Sequence, residues 1–295
     1  MELQVARVGD RRLEFASPGA FDRARVDGFF FVEQPPALDL DAGDRFARNF
    51  FKDRCAHASD SDFAGYRSCT QDEVGARQGY FCRDADQTEQ FFLERANWTS
   101  VFPQPLAAQA ESMRHVSVMV LEFVLRELNI PHSLWHQATG GAVADDGSYH
   151  LTFNHFRPEV SARGLNIHKD SGWVTLLRST DGGLEVQAGD AWEDVSPLPG
   201  HLIVNFGCAM EILTQSSDRP VSAVAHRVRQ QLPADGSGAP DRVSYGLFVD
   251  SGLDRGQRTR LYEYADARLI DRGSPGDFVD DIVERTYETE GVGLY

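Results

Sequence analysis

A histidine and an aspartate stand two residues apart in this sequence, close before an apolar run. They are His168 and Asp170, and the run covers residues 173–177. Side chains at positions i and i+2 of a strand point to the same side, so an extended segment brings the two groups together. Taken alone, the pair is also compatible with a polar patch on an ordinary surface strand. Lys169, between them, should point to the other face and take no part in the chemistry.

A second histidine supplies a third candidate ligand. His226 lies in the segment AVAHRV, among small and β-branched residues. Two imidazoles and one carboxylate on one face form a facial triad, which binds Fe(II) through three positions and leaves the others open. The same donors also accept zinc. The sequence therefore predicts a metal site made of His168, Asp170 and His226.

An arginine and a serine with the same spacing follow soon after. Arg242 and Ser244 lie in RVSYGLFVD, on the strand face opposite the apolar residues. An arginine that points inward is costly unless an anion meets it. Its planar fork binds a carboxylate through two hydrogen bonds, and a serine two residues along can donate another. The pair predicts a carboxylate site, although an arginine–aspartate salt bridge on an edge strand would produce the same pattern.

The C-terminal half has the pattern of a β-rich domain that could hold these groups. From residue 148 onward, short apolar segments alternate with turn residues. Their spacing indicates an antiparallel sandwich or barrel rather than alternating strands and helices. The predicted strands are YHLTFNHF, GWVTLLRS, GLEVQAG, AWEDVSP, HLIVNFG, SAVAHRVR and RVSYGLFVD.

Helices are predicted mainly before residue 148. The clearest helical periodicity covers residues 105–130, whose broad apolar face should pack against the back of a sheet. The other predicted elements are a helix and then a strand within 17–36, with the break at Gly28, a helix at 40–53 and a capped helix at 274–291. Residues 54–103 should be irregular loops that line the site, and residues 232–241 a flexible loop.

Composition restricts the class of protein. The chain has 295 residues and a formal net charge of −16, which argues against nucleic acid or an anionic membrane as a partner. No apolar run is long enough to span a bilayer, and no secretory signal begins the chain. The four cysteines have no CxxC spacing and should be free, buried thiols. We therefore expect a cytoplasmic protein of the size of an enzyme, and the sequence indicates no obligate protein partner.

The order of these motifs resembles the catalytic half of the Fe(II)/2-oxoglutarate-dependent oxygenases, in particular the branch that contains isopenicillin N synthase. Between His168-x-Asp170 and Arg242-x-Ser244, the resemblance is carried by PLPG, VNFG, EILT and the segment that ends in HRV. It is dense over 149–250 and extends weakly to DRARVDGFFFVE and FFKD near the start.

The resemblance implies a fold that is mainly β with flanking helices. Its core would be a double-stranded β-helix, that is, a distorted jelly roll. Residues 1–295 would form a single oxygenase domain, with a helix-rich N-terminal part at 1–148 that contributes substrate-lining loops. The jelly-roll catalytic core would occupy 149–250, and a C-terminal segment with a helix would occupy 251–295.

The resemblance also implies the cofactors, namely Fe(II), 2-oxoglutarate as cosubstrate, and O2. The triad would bind the iron, and Arg242 and Ser244 would hold the distal carboxylate of 2-oxoglutarate, with Asn154 contributing to the same site. In the stretch Asn154-His155-Phe156-Arg157-Pro158, relatives often have a tyrosine where this chain has Phe156. This departure puts the binding geometry of the cosubstrate in doubt.

The implied reaction is oxidation of a small molecule by hydrogen abstraction, with release of succinate and CO2. Halogenases of the superfamily replace the carboxylate ligand by a small residue, so Asp170 predicts hydroxylation, desaturation or ring formation instead. Two alternatives stay open: an oxidase of the isopenicillin N synthase type that does not use 2-oxoglutarate, and a non-enzymatic metal-binding jelly roll.

Candidate substrate-binding residues come from the irregular region and from the strands around the motifs. Arginines near the iron would suit an amino-acid- or peptide-derived substrate that carries a carboxylate, as in natural-product metabolism such as antibiotic biosynthesis. The candidates are Arg77, Tyr80, Phe81, Arg157, Trp173 and Phe206.

Overall fold

The structure is a computed structural model that describes residues 2–10, 12–55, 59–232, 241–252 and 259–278. The predicted helix at 274–291 lies mostly outside these residues, although 275–278 are helical. Of the predicted loop at 232–241, only the first and last residues are described. No helix within the described ranges combines the length and the apolar character that crossing a membrane requires.

Strands dominate the described part of the chain. They are β1 (Val5–Val8), β2 (Leu13–Phe15), β3 (Phe29–Glu33), β4 (Gly79–Cys82), β5 (Thr88–Glu94), β6 (Ser148–Phe156), β7 (Leu165–His168), β8 (Val174–Ser179), β9 (Leu184–Ala188), β10 (Ala191–Asp194), β11 (His201–Phe206), β12 (His226–Val228), β13 (Val243–Asp250), β14 (Leu261–Ala265) and β15 (Arg268–Gly273).

Most of the helices precede residue 148, as predicted. Those before residue 148 are α1 (Ala20–Asp27), α2 (Asp41–Ala47), α3 (Gln71–Val74), α4 (Trp98–Val101), α5 (Gln104–Glu127) and α6 (Trp135–Ala138). A further helix, α7 (Cys208–Thr214), follows β11. Gly28 ends α1 in the left-handed conformation, with φ of 84°, which glycine adopts at little cost. The break predicted at this glycine is therefore where the helix ends.

Two sheets face each other. The large sheet has the order β2-β1-β3-β11-β8-β13-β6-β5-β4, and the small sheet has the order β10-β9-β12-β7. Strands of the C-terminal half alternate between them: β6, β8, β11 and β13 belong to the large sheet, and β7, β9, β10 and β12 to the small one. The predicted fold, mainly β with a double-stranded β-helix core, is confirmed.

The large sheet has one face against helices and one against the small sheet. Alternate residues of β13, namely Val243, Tyr245, Leu247 and Val249, join the main apolar core with buried residues of α5. Because successive side chains of a strand alternate, the residues between them point toward the small sheet. We call this side the inner face. A second apolar cluster, which includes Phe156, Val186 and Val228, fills part of the space between the sheets.

The prediction of irregular loops at 54–103 was wrong in part. Within this region β4 and β5 form a hairpin, and β5 pairs with β6 over its whole length, which widens the large sheet. The mixture of Gly, Asp, Arg and aromatic residues hid the alternation, since β5 carries charged residues on both faces. The hairpin of β14 and β15 and the strands β1 and β2 were not predicted either.

The cysteines are free, as predicted, but they are not all buried. Cys208 is buried, whereas Cys55 and Cys82 are exposed. The expectation of buried thiols was therefore wrong for these two residues.

Candidate active site

The two candidate histidine ligands are direct partners across two strands. His226 on β12 is paired with His168 on β7 in an antiparallel register, and their ring centroids lie 4.2 Å apart. Directly opposed residues of an antiparallel pair present their side chains on the same face. The pairing of β7 with β12 therefore brings together two residues that are 58 positions apart in the sequence.

Each imidazole is oriented by the main chain two residues before it. Nδ1 of His168 donates to the carbonyl oxygen of Asn166 at 2.9 Å, and Nδ1 of His226 donates to that of Val224 at 3.1 Å. Such a bond fixes the tautomer and leaves the Nε2 lone pair free to bind a metal. Burial, with the neighbouring His226, lowers the pKa of His168 well below its ordinary value, which favours the neutral form that a metal needs.

Asp170 reaches the same point from just beyond the end of β7. Its main-chain oxygen accepts a hydrogen bond from the Cys208 amide at 2.8 Å, at the start of α7. A Cβ on Gly207 would overlap the main-chain oxygen of Gly172, so the turn after Asp170 can pack here only against a glycine. Asn205 Nδ2 lies 3.5 Å from Asp170 Oδ2. The turn thus holds the carboxylate beside the two imidazoles.

The three predicted ligands converge. The Nε2 atoms of His168 and His226 each lie 3.8 Å from Oδ1 of Asp170, and all three ligand atoms lie within 4.8 Å of one another. Asp170 and His226 are buried. Two neutral imidazoles and one carboxylate are the donor set that non-haem Fe(II) accepts, so these residues fit that ion. Lys169 turns away and pairs with Glu211 at 2.8 Å, as expected for a residue outside the site.

The predicted carboxylate site lies at the start of β13. Arg242 is 6% exposed as a residue, and its Nε donates to the main-chain oxygen of Gly182 at 2.8 Å. Among the described residues, its other nitrogens reach the hydroxyl groups of Ser244 and Ser179, at 3.5 Å each. Burial lowers the pKa of Arg242 to about 10, so the group is still charged at neutral pH. A buried cation whose two terminal nitrogens make only 3.5 Å contacts among the described residues is suited to an incoming carboxylate.

Phe156 takes up the space beside this arginine. The Arg242 guanidinium carbon lies 4.3 Å from the centroid of the Phe156 ring, within the range of a cation–π interaction. Asn154, two residues earlier on the same face, accepts a hydrogen bond from Gln90 at 2.7 Å, and its register partner on β13 is Ser244. The Phe156 ring therefore lies against the guanidinium of the predicted carboxylate site.

The segment that holds these groups, residues 148–251, matches the family model described as the 2OG-Fe(II) oxygenase superfamily. This segment therefore has the sequence of a domain of that superfamily. The cofactors predicted above, Fe(II), 2-oxoglutarate and O2, are those of the superfamily, and the residues described here fit them. The comparisons support the superfamily and do not single out the isopenicillin N synthase branch.

Several plant proteins are similar to parts of this chain. "1-Aminocyclopropane-1-carboxylate oxidase homolog 9" of Arabidopsis thaliana is 38% identical over 91 residues, which is 30% of this chain and 22% of that protein. "Protein DMR6-LIKE OXYGENASE 1" of the same plant is 29% identical over 216 residues, 68% of this chain and 59% of that protein. The chain thus matches less than two thirds of the length of these relatives.

Solved structures share the fold over most of the chain. A crystal structure of JOX2 in complex with 2OG, Fe and JA has a TM-score of 0.63 at 21% identity, and the match covers 89% of this chain and 84% of that one. The crystal structure of a dioxygenase for auxin oxidation in rice has a TM-score of 0.60 at 21% identity, and that match covers 95% of this chain and 94% of the rice chain. These similarities support the jelly-roll architecture.

The predicted substrate residues of this oxygenase are distributed over several places. Phe81 lies on the inner face, paired with Gln90 and partly exposed. Arg157 donates to the main-chain oxygens of Arg83, Asp86 and Gln87, so it holds the chain between β4 and β5. Arg77 lies in the exposed turn before β4 with φ of 64°. Neither arginine forms part of the inner face.

Three other candidates lie on the helix side of the large sheet. The Tyr80 hydroxyl donates to the buried carboxylate of Glu89 at 2.5 Å. Trp173 and Phe206 are fully buried in the main core, where Trp173 donates to Ser251 and Phe206 packs on Phe30 at 5.7 Å. Phe206 points to the helix side because side chains alternate along a strand and its neighbour Asn205 points to the inner face.

Sequence reasoning missed several polar residues on the inner face. Besides Asn205, these are Glu94 on β5, His150 on β6 and Asp250 on β13. A signal was present, because His150 stands four residues before Asn154 and Asp250 six residues after Ser244, both at even spacing. The period-two pattern that placed Arg242 and Ser244 also places these residues on the same face.

Proposed function

We propose that this protein is an Fe(II)- and 2-oxoglutarate-dependent oxygenase that oxidises a C–H bond of a small molecule. The observation that carries the proposal is the combination of a converged His168–Asp170–His226 triad with a buried arginine, Arg242, that forms no carboxylate salt bridge within the described ranges. Each feature has structural explanations of its own. Together, between the same two sheets, they match the needs of the metal and of the cosubstrate.

The residues of the chain have distinct tasks. His168, Asp170 and His226 would hold the iron, and Arg242 with Ser244 would hold the distal carboxylate of 2-oxoglutarate. The amide of Asn154 would contribute to the same end of the site. The bound iron and cosubstrate would supply the oxidising chemistry, in which O2 and 2-oxoglutarate yield succinate, CO2 and an oxidised substrate. The buried surroundings keep water from competing with these steps.

The type of oxidised product is proposed as a class of reactions rather than as a single reaction. The retained carboxylate of Asp170 supports hydroxylation, desaturation or ring formation. We propose a substrate derived from an amino acid or a peptide, in natural-product metabolism. The arginines at 77 and 157 do not support this class, since the structure does not bring them to the inner face. Its support comes instead from the carboxylates of Glu94 and Asp250 and from the neutral imidazole of His150, which can accept hydrogen bonds from the amine of such a molecule.

Two measurements test the proposed function directly. Anaerobic addition of Fe(II) and 2-oxoglutarate should produce the charge-transfer absorption of the iron chelate, and labelled 2-oxoglutarate should yield labelled succinate once O2 is admitted. The absence of both signals would refute the proposal. Oxidised product without succinate would instead support the oxidase alternative, in which 2-oxoglutarate takes no part.

Replacement of Phe156 by leucine should weaken cosubstrate binding. The ring contributes about 0.5–2 kcal/mol if its contact with the Arg242 guanidinium resembles other cation–π pairs, so KM for 2-oxoglutarate should rise roughly 2- to 30-fold. The kcat at saturating cosubstrate should change little, because the iron ligands are untouched. Steady-state kinetics of succinate formation measure both constants.

Phe156→Tyr serves as the matched control. It keeps the aromatic face and adds the hydroxyl group that relatives often carry, so KM should stay within a few-fold of the parent value. An equal rise of KM in both variants would show that the ring does not position Arg242.

A further inference from the structure

Three polar residues lie close together on the inner face of three neighbouring strands of the large sheet, β5, β6 and β13. Glu94 on β5 is the register partner of His150 on β6, and His150 is the register partner of Phe248 on β13, two residues before Asp250. Because side chains alternate along a strand, all three point away from the helix side of the sheet. We call them the Glu94–His150–Asp250 cluster.

The two carboxylates of this cluster have little to neutralise them. Glu94 accepts hydrogen bonds from the Ser148 hydroxyl at 2.9 and 3.1 Å, and Asp250 Oδ1 accepts one from Ser171 at 3.3 Å. The Asp250 side chain is only 8% exposed, yet its Oδ2 accepts no hydrogen bond from a described residue, since His150 Nδ1 is 3.6 Å away. In the described part of the chain, neither carboxylate forms a salt bridge with an arginine or lysine. A largely buried carboxylate whose Oδ2 has no donor among the described residues can accept a hydrogen bond from a ligand.

The charges of the cluster indicate what would complete it. Burial raises the pKa of Glu94 to about 7, and burial raises the pKa of Asp250 to about 7, with a contribution from the neighbouring Glu94. Burial lowers the pKa of His150 to about 3, so its imidazole is neutral and can accept a hydrogen bond. Every group of the cluster would thus gain from a positively charged hydrogen-bond donor.

The surroundings of the cluster suit an organic cation. Phe248 stacks on His150 at 4.6 Å with 11° between the planes, and Phe92 lies on it at 4.3 Å, so apolar surface borders the carboxylates. Both phenylalanines are partly exposed. A metal ion is a poor occupant, because among the described residues only the His168–Asp170–His226 triad brings three such ligand atoms within 4.8 Å.

The position of the cluster connects it to the chemistry. Ser171, which donates to Asp250, directly follows the iron ligand Asp170. A Cβ on Gly172 would lie 2.5 Å from Asp250 Oδ1, so the turn that carries Asp170 packs closely on the cluster. A molecule bound at the cluster is therefore held beside the triad.

We propose that Glu94, His150 and Asp250 bind a protonated amine of the substrate and orient the rest of the molecule toward the iron. The role of the bound amine as a substrate rests on the proposed function, whereas the binding of an amine at this cluster does not. It narrows the substrate class to small molecules with a basic nitrogen, which includes amino-acid derivatives. The expected recognition of a substrate carboxylate by Arg77 or Arg157 is replaced by recognition of an amine.

The test compares two probes of similar shape and different charge. Benzylammonium and benzyl alcohol are titrated into the protein loaded with Fe(II) and 2-oxoglutarate under anaerobic conditions, and binding is followed by calorimetry and by thermal stability. We expect benzylammonium to bind at least about ten times more tightly than the alcohol, the effect of about one buried charge contact. Equal binding of the two probes, or no binding of either, would overturn the proposal.

Variants locate the probe. Glu94→Gln keeps the shape and removes the charge, so it should weaken benzylammonium at least about tenfold while the alcohol is unaffected. Asp250→Asn should act in the same direction and provides a second variant if the first one folds poorly. Glu159→Gln, at an exposed glutamate, is the matched control and should bind as the parent does. Unchanged affinity in both cluster variants would refute the assignment.

The binding test and the test for succinate can refute their two proposals separately. Selective binding of benzylammonium, with neither the charge-transfer absorption nor succinate formation, would leave the amine site intact and refute the proposed oxygenase function. Succinate formation with a substrate, together with indifference to the charge of the probe, would refute the amine site alone.

Discussion

Replacement of Asp170 by alanine is expected to abolish tight binding of Fe(II) and, with it, formation of succinate. Changes to groups that only support a metal ligand cost about 10- to 100-fold in metal affinity, so loss of the carboxylate itself should exceed about 100-fold. The remaining pair of neutral imidazoles carries no negative charge to balance the cation. Competition with a chromogenic chelator measures the affinity, and labelled 2-oxoglutarate measures turnover.

The fold should survive this change. The hydrogen bond that anchors the turn to α7 uses the main-chain oxygen of Asp170, and alanine retains that oxygen. The matched control is Lys169→Gln, next in the sequence, whose side chain pairs with Glu211 on the other side of the chain. It should keep the parent iron affinity. An Asp170→Ala protein that binds iron as the parent does would exclude the triad as the metal site.

Replacement of Arg242 by methionine should remove the binding of 2-oxoglutarate while leaving iron binding intact. Truncating one partner of a buried charge pair costs about 2–5 kcal/mol, so the dissociation constant of 2-oxoglutarate should rise at least ~30-fold. The free protein should be equally stable or more stable, because methionine fills a similar volume without a buried charge. Function and stability are therefore expected to change in opposite directions.

Urea unfolding with and without 2-oxoglutarate, on protein loaded with a redox-inert metal, measures both effects. A ligand present at about 100 times its dissociation constant stabilises the parent by about 2.7 kcal/mol, and the variant should gain almost nothing at the same concentration. Arg178→Met is the control, since Arg178 lies on β8 and pairs with Asp44 at 3.0 Å on the helix side of the sheet. It should lose stability and keep its affinity for 2-oxoglutarate. The reverse pattern would refute the role of Arg242.

The sequence was most informative where local spacing determines geometry. His168-x-Asp170 and Arg242-x-Ser244 could be placed because residues two apart share a face of an extended chain. The strong helical period of residues 105–130 likewise predicted α5 and its packing on a sheet. His226 required the motif order as well, because its position opposite His168 depends on pairing between strands that are distant in the sequence.

Other features depend on information that spacing does not contain. The hairpin of β4 and β5 was hidden because Glu89 is buried on the helix side, where Arg67 forms an ion pair with it and Tyr80 and His155 form hydrogen bonds with it. A sequence pattern reads such a residue as exposed. Trp173 and Phe206 were predicted to line the pocket because they lie on segments around the motifs, whereas the face on which each lies is set by the register of the large sheet.

The place of the β4–β5 hairpin in the large sheet bears on how this protein could evolve. β4 is the last strand of the sheet, and β5 joins it to β6, so the hairpin does not pair with the small-sheet strands β7 and β12 that carry the histidine ligands. Phe81, Gln90, Phe92 and Glu94 present their inner-face side chains from this hairpin. Under the proposed function, substitutions there would alter which molecule is accepted without disturbing the metal ligands. The architecture would then let substrate preference diverge while the metal site stays the same.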